Sequence, residues 1–237
     1  MKQKIKQHLP PGLLSIIRPL ARSVRLAKSR LRTQRVLRAI RTDPNDVHIE
    51  LGPGSHPIGT PWIGIDNNAS ADITWDLRTP LPFAAKSIKG IYSSHVLEHF
   101  TPFEVLDLLK ECVRVLRPDG FLLAAVPHAG RYIRSLTDTK AYEDLKCHTT
   151  GGQYRVTGTP MDLVNMTAYM YGQHMCMFDE NYLCGLLEKA GFSHSSTRHF
   201  LKGYDLEVRD WESLYVFAGF RDLQQCEEAI RIAMPNA

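Results

Sequence analysis

The sequence predicts an α/β protein built on a doubly wound sheet, and three observations carry that prediction. Beyond residue 42, short apolar runs alternate with stretches of helical period. Residues 121–126 form a continuous apolar run of the kind that a parallel sheet buries on both faces. Gly52-Pro53-Gly54 directly follows the first apolar run, where a chain turning toward a ligand needs residues without a Cβ. In such a sheet the ligand lies beyond the carboxyl ends of the strands, near the point where strand order reverses.

Residues 12–41 carry Leu13, Ile16, Ile17, Leu20, Val24, Ala27, Leu31, Leu37 and Ile40 at spacings of mostly three or four. Arg and Lys stand between them, which predicts a basic amphipathic helix that Pro19 either kinks or opens. Residues 42–46, Thr-Asp-Pro-Asn-Asp, are turn formers that close this arm, dividing the chain into an arm at 1–42 and a domain at 43–237. Strands are expected at 47–51, 62–65 and 88–93. A helix follows over 103–116, burying Val105, Leu106, Leu108, Leu109, Cys112, Val113 and Leu116. Pro118-Asp119-Gly120 then turns the chain into the strand at 121–126. A helix over 179–190 stops at Gly191, a strand follows at 213–220, and a last helix at 222–232.

The formal charge of +4 conceals two opposite parts. Of the 29 basic side chains, 12 lie in residues 1–42 with no acid among them, which leaves 17 basic against 25 acidic residues, a formal −8, for the body. With 43% hydrophobic and 9% aromatic residues, the body is suited to a packed core rather than to disorder. No apolar run approaches the roughly 18 residues of a spanning helix. Five cysteines without regular spacing, and no secretion signal at the N-terminus, predict reduced thiols in the cytoplasm.

Four short segments carry chemistry, in a fixed order. Glu50-Leu51-Gly52-Pro53-Gly54 ends the first strand, and Asp66-Asn67 ends the second, where doubly wound folds hydrogen-bond a ribose diol. Asp76-Leu77-Arg78 precedes a Leu-Pro-Phe run. Ser94-His95-Val96-Leu97-Glu98-His99 follows the next strand, and Leu116-Arg117-Pro118-Asp119-Gly120 leads into the apolar one.

This series resembles the class I S-adenosylmethionine-dependent methyltransferases, of methyltransferase type 11, from about residue 47 to 127, with weaker similarity at 183–192 and 212–218. The resemblance implies a Rossmann-like, mostly parallel seven-stranded sheet and S-adenosylmethionine as cofactor. It implies that Gly52 and Gly54 pass beneath the methionine and ribose portions, and that Asp66 binds the ribose hydroxyls. Asp76 would accept from the adenine amino group beside the Leu77 backbone. Ser94 and His95 would border the methionine moiety, with Glu98 and His99 starting the helix behind it. Glu50, Pro53, Asn67 and His99 complete the implied cofactor positions. Only 11 residues separate Gly54 from Asp66, with Pro57, Gly59 and Pro61 among them, so the usual helix there shortens to a loop. That form resembles a bacterial branch acting on cell-surface saccharides.

Methyl transfer requires alignment of the acceptor, and deprotonation if the acceptor is an alcohol. The tetrapeptide Asn/Asp-Pro-Pro-aromatic of base-amine methyltransferases is absent, and no Pro-Cys pair follows the apolar strand, so nucleic-acid bases are disfavoured. Val126-Pro127-His128 stands there instead, and His128 is the expected general base for a saccharide or lipid-linked glycan hydroxyl, with His95 and His174 as alternatives. A small-molecule or RNA methyltransferase, and an inactive cofactor-binding scaffold, are the competing readings. Residues 128–178 are too long for an ordinary connection and suggest a cap over the acceptor, holding five of the seven methionines. Cys147, His148, His174 and Cys176 lack zinc-site spacing, and no metal is expected. The arm suits an anionic membrane surface, placing the protein at the inner face of the plasma membrane; a homodimer contact, nucleic acid and targeting are the other readings.

Overall fold

The apolar runs assemble into one sheet of seven strands in the computed structural model, which describes residues 11–43, 46–149 and 156–222, with side chains from residue 23 onward. The strands are β1 (His48–Leu51), β2 (Trp62–Asp66), β3 (Ile73–Thr74), β4 (Ile88–Ser94), β5 (Leu116–Pro127), β6 (His194–Thr197) and β7 (Ser213–Gly219). Their spatial order is β3-β2-β1-β4-β5-β7-β6. All neighbours pair in parallel except β7, which runs antiparallel to both β5 and β6. Strand order reverses between β1 and β4, so a crevice opens beyond their carboxyl ends.

The helices are α1 (Pro11–Thr42), α2 (Pro102–Val115), α3 (Ala129–Arg134), α4 (Thr139–His148), α5 (Pro160–Tyr169) and α6 (Glu180–Ala190). Thr101 caps α2 in a reciprocal box with Glu104, whose carboxylate accepts from the Thr101 amide at 2.8 Å. Asp179 caps α6, and Gly191 ends it in the left-handed region. One face of the sheet packs Ile49, Ile65, Ile91, Leu122 and Val216 with Leu108, Cys112, Leu183 and Leu187 of α2 and α6. The other face holds Trp62, Tyr92, Phe121 and Phe217, covered by Ile58, Leu201 and Tyr204. A buried ion pair, Arg198 Nη1 to Asp205 Oδ2 at 2.6 Å, fixes the covering loop, and Tyr92 donates its hydroxyl to Asp205 Oδ1 at 3.1 Å.

Several local expectations need correction. Pro118-Asp119-Gly120 lies within β5, as an irregularity where the register against β4 shifts between Ile88 and Gly90. Lys89 holds it, with Nζ 2.7 Å from Asp119 Oδ2. Glu98 and His99 belong to a separate 3-10 turn, Leu97–His99, and α2 begins only at Pro102, because the capping box at Thr101 fixes its start. No helix separates β1 from β2, as the short Pro- and Gly-containing segment requires. The helix expected at 222–232 lies outside the described residues, apart from Asp222.

The arm helix α1 runs unbroken through Pro19. Its inward side is polar where it meets β3: Ser29 and Thr33 are buried, Thr33 Oγ1 accepts from the Thr74 amide at 2.9 Å, and Ser29 Oγ is hydrogen-bonded to Thr74 Oγ1. Arg32 donates to the Ala69 carbonyl. Val24 and Leu31, expected on a buried stripe, face outward, because Ser29, Thr33 and Ile40 occupy the inner side of the same helix. Among the described residues no helix is long and apolar enough to cross a membrane.

Candidate functional site

At the carboxyl ends of β1, β2 and β4 lies a cavity of about 330 Å³. Eight of the eleven expected cofactor positions line it: Gly52, Gly54, Asp66, Asn67, Asp76, Leu77, His95 and His99. Gly52 and Gly54 have φ of +63° and +54°, the left-handed region that a Cβ disfavours. A Cβ on Gly52 would stand 2.5 Å from Val96 Cγ2, whereas one on Gly54 would meet only the Gly52 carbonyl oxygen, at 4.0 Å. The backbone therefore turns tightly behind the cavity and leaves its rim clear.

The two carboxylates on the wall are held by backbone amides. Asp66 Oδ2 accepts from Gly54 at 3.1 Å and Oδ1 from Asn68 at 2.9 Å, and Asp76 Oδ1 accepts from Arg78 at 3.0 Å. A carboxylate offers about four lone-pair sites, so each keeps acceptor capacity for a ligand's hydroxyl or amino hydrogens. Two acids, a glycine turn and an apolar floor of Val96, Leu77 and Phe100 suit a cationic molecule bearing a diol and an aromatic base. Residues 66–124 match the family model described as a methyltransferase domain.

That match covers about a quarter of the chain and is a likeness to the family over those residues.

Among solved structures, the chain resembles an S-adenosylmethionine-dependent methyltransferase from Thermotoga maritima at 15% identity and a TM-score of 0.47, over 78% of this chain and 87% of that one. A second, from Archaeoglobus fulgidus, aligns at 14% identity and a TM-score of 0.46, over 80% and 93%. No curated protein matches the sequence.

Three expected cofactor positions lie outside the cavity wall. Glu50 is buried in β1, where its Oε2 accepts from the Ile58 amide at 2.9 Å and so ties down the β1–β2 loop. Burial raises its carboxyl to about 7, against the lowering effect of that amide. Pro53 packs over Gly64, and Ser94 closes β4. Conversely, Arg78, Val96 and Phe100 line the cavity without having been singled out; the Arg78 guanidinium stacks 4.6 Å above the Phe100 ring and its Nε lies 3.0 Å from Glu104. The signal in the sequence was their adjacency to Leu77, His95 and His99.

The three histidines proposed as bases occupy different surroundings. His95, at φ +52°, lines the cavity and donates from Nε2 to Ser213 Oγ at 2.9 Å. The Ser213 hydroxyl spends its one proton on the Arg209 carbonyl at 2.8 Å, so it can only accept from His95. His128 lies at the end of β5, just before α3, with Nε2 3.1 Å from Glu180 Oε1 and a buried, unpartnered Nδ1. Burial lowers its pKa, and Glu180 partly opposes this. It walls a second cavity of about 260 Å³ with Arg131, Arg198, His199, Ser213 and Tyr215. His174 is buried and lines neither cavity; its Nδ1 donates to the Thr167 carbonyl at 2.7 Å.

Proposed function

We propose that this methyltransferase methylates a hydroxyl of a saccharide or lipid-linked glycan. The supporting observation is the second cavity, whose walls combine charged groups, His128, Arg131 and Arg198, with the aromatic faces of Phe200 and Tyr215, a mixture suited to a sugar. Ser213 lines it, and through its bond to His95 it adjoins the cofactor cavity.

S-adenosylmethionine, when bound, supplies a methyl group that leaves to an acceptor oxygen as the C–S bond breaks and its electron pair stays on sulfur. The chain's own work is alignment and proton removal. Asp66 and Asp76 would hold the cofactor by accepting hydrogen bonds from its ribose and adenine, and Gly52 and Gly54 would let the backbone pass close behind. His128 takes the hydroxyl proton at Nδ1, since Nε2 is committed to Glu180. Incubating the purified protein with a cell extract and methyl-labelled cofactor tests the reading. Label in glycan hydroxyls supports it, whereas label on nitrogen alone removes both the acceptor class and the need for His128.

The outward-facing Val24 and Leu31, with Arg25, Lys28 and Arg35 exposed around them, favour an anionic membrane surface as the arm's contact. Cosedimentation with vesicles containing phosphatidylglycerol should be lost at high salt and on replacing Val24 and Leu31 by Ser. Binding to RNA but not to vesicles would overturn it.

A further inference from the structure

Three hydrogen-bond acceptors converge where the Leu97–His99 turn meets the end of the 128–178 insert. Glu98, His99 and His174 each present a ligand atom within 4.8 Å of the other two. Glu98 is 1% exposed, and its Oε2 has no hydrogen-bond partner. The Nδ1 of His99 faces the Gln173 carbonyl at 3.0 Å, and that of His174 faces the Thr167 carbonyl at 2.7 Å. A carbonyl only accepts, so both Nδ1 atoms carry the proton and both Nε2 atoms are left as lone pairs when the rings are neutral. The two rings stand edge to face, 5.1 Å apart. Nearby, His95 Nδ1 lies 3.4 Å from Glu98 Oε1 without forming a hydrogen bond, and its own proton is already committed at Nε2.

A buried carboxylate oxygen with no donor is costly to leave uncompensated, and an imidazole nitrogen of each histidine stands within 4.8 Å of a Glu98 carboxylate oxygen. We propose that Glu98, His99 and His174 bind one divalent transition-metal ion of the zinc type. Two neutral imidazoles and one carboxylate match the donor set of zinc sites that keep a coordination position open, and they do not match the all-oxygen sets of magnesium or calcium. The carbonyls of Gln173 and Thr167 are the outer partners that fix a ligating histidine's tautomer. The Glu98 carbonyl accepts from the Met175 amide at 2.7 Å, which ties the turn to the segment after His174 and fixes their approach.

Because His99 also walls the cofactor cavity, the ion borders the reaction space. An open position there would bind an acceptor oxygen and make its hydroxyl more acidic; this role, unlike the binding itself, rests on the hydroxyl reading above.

The test uses the full chain, dialysed against Zn²⁺ or Co²⁺, with metal content, the visible spectrum of the Co²⁺ form and S-adenosylhomocysteine calorimetry measured on the same samples. One ion per chain and Co²⁺ bands of nitrogen and oxygen ligation are expected. Glu98→Gln and His174→Ala should weaken metal binding by about 100-fold or more while leaving S-adenosylhomocysteine affinity in place. No bound Zn²⁺ or Co²⁺ in the parent protein, or equal binding by folded variants, overturns the site and means that a shared proton satisfies Glu98. Should a variant fail to fold, the parent's Co²⁺ spectrum decides. Metal binding combined with methylation of nitrogen alone would keep the site and remove its proposed role.

Discussion

The backbone amide of Gly54 donates to Asp66 Oδ2 at 3.1 Å, joining the turn after β1 to the carboxylate that ends β2. The glycine turn and the acid proposed to meet a ribose are therefore one structural unit, and loss of the carboxylate acts on both. Asp66→Ala should weaken S-adenosylhomocysteine binding by about 10- to 100-fold, the range expected for hydrogen bonds to a charged group. Calorimetry reads this directly, and an unchanged Kd would remove Asp66 from the cofactor site.

Two glycines with positive φ separate backbone strain from steric conflict. Gly59, at φ +89°, has open space where a Cβ would stand, whereas at Gly52 the Cβ would meet Val96 Cγ2 at 2.5 Å. Gly59→Ala should cost about 1 kcal/mol, from strain alone, and Gly52→Ala about 2–4 kcal/mol. Thermal unfolding of the two variants side by side checks the ordering; equal losses would mean that Val96 yields.

Proton removal by His128 has a defined pH signature. Burial holds its pKa below the ordinary value near 6.5, so the base is unprotonated at neutral pH and kcat/KM should fall only on acidification below about 6.5. Glu180 raises that pKa, so Glu180→Gln should move the acid limb to still lower pH. His128→Asn should lower kcat by about 10²- to 10⁴-fold. A pH profile that keeps its limb in His128→Asn would assign the proton transfer elsewhere.

Glu50 links stability to pH in the opposite sense. Its folded-state carboxyl lies near 7, above the unfolded value of 4.5, so its contribution is fully present below pH 4.5 and is lost as pH rises through 7. Glu50→Gln keeps an acceptor for the Ile58 amide and removes the charge. The variant should have a higher Tm than the parent at pH 8, with a flatter dependence between pH 5 and 8. A steeper dependence would contradict this.

Docking of the arm should draw measurably on the Thr33 hydroxyl. Thr33→Val preserves shape but leaves the Thr74 amide of β3 without its acceptor, a loss of about 1–3 kcal/mol. A lower Tm with unchanged S-adenosylhomocysteine affinity is expected, and no change in Tm would show that solvent replaces the bond.

What the sequence reveals follows from how much of each element is buried. β1, the 121–126 part of β5 and β7 bury every residue, and β2 and β4 bury most of theirs, so these segments carry the apolar signal. β3 is only two residues, too short for any period, and β6 is His-Ser-Ser-Thr, partly exposed and without an apolar side chain. Both exist because a neighbouring strand offers a ladder, which is tertiary information. The grouping of Gly52, Gly54, Asp66, Asp76 and His95 around one cavity was legible because these residues follow strand ends in chain order. The convergence of Glu98 and His99 on His174 was not, since it depends on how the insert folds back onto the turn after β4. Ser29 and Thr33 were hidden by the louder apolar period of the arm.

The contact between α1 and β3 also determines how the sheet can meet other chains. Thr33 occupies the outer amide of Thr74, so that margin offers no vacant ladder for a further strand. Among the described residues, β6 is then the margin that remains, four residues long and bearing only His194, Ser195, Ser196 and Thr197. A short polar edge gives an incoming strand little to bury. Sheet-to-sheet growth is closed on one side and weakly rewarded on the other, so self-association of this protein is directed toward helix and loop surfaces rather than toward continuous β-structure.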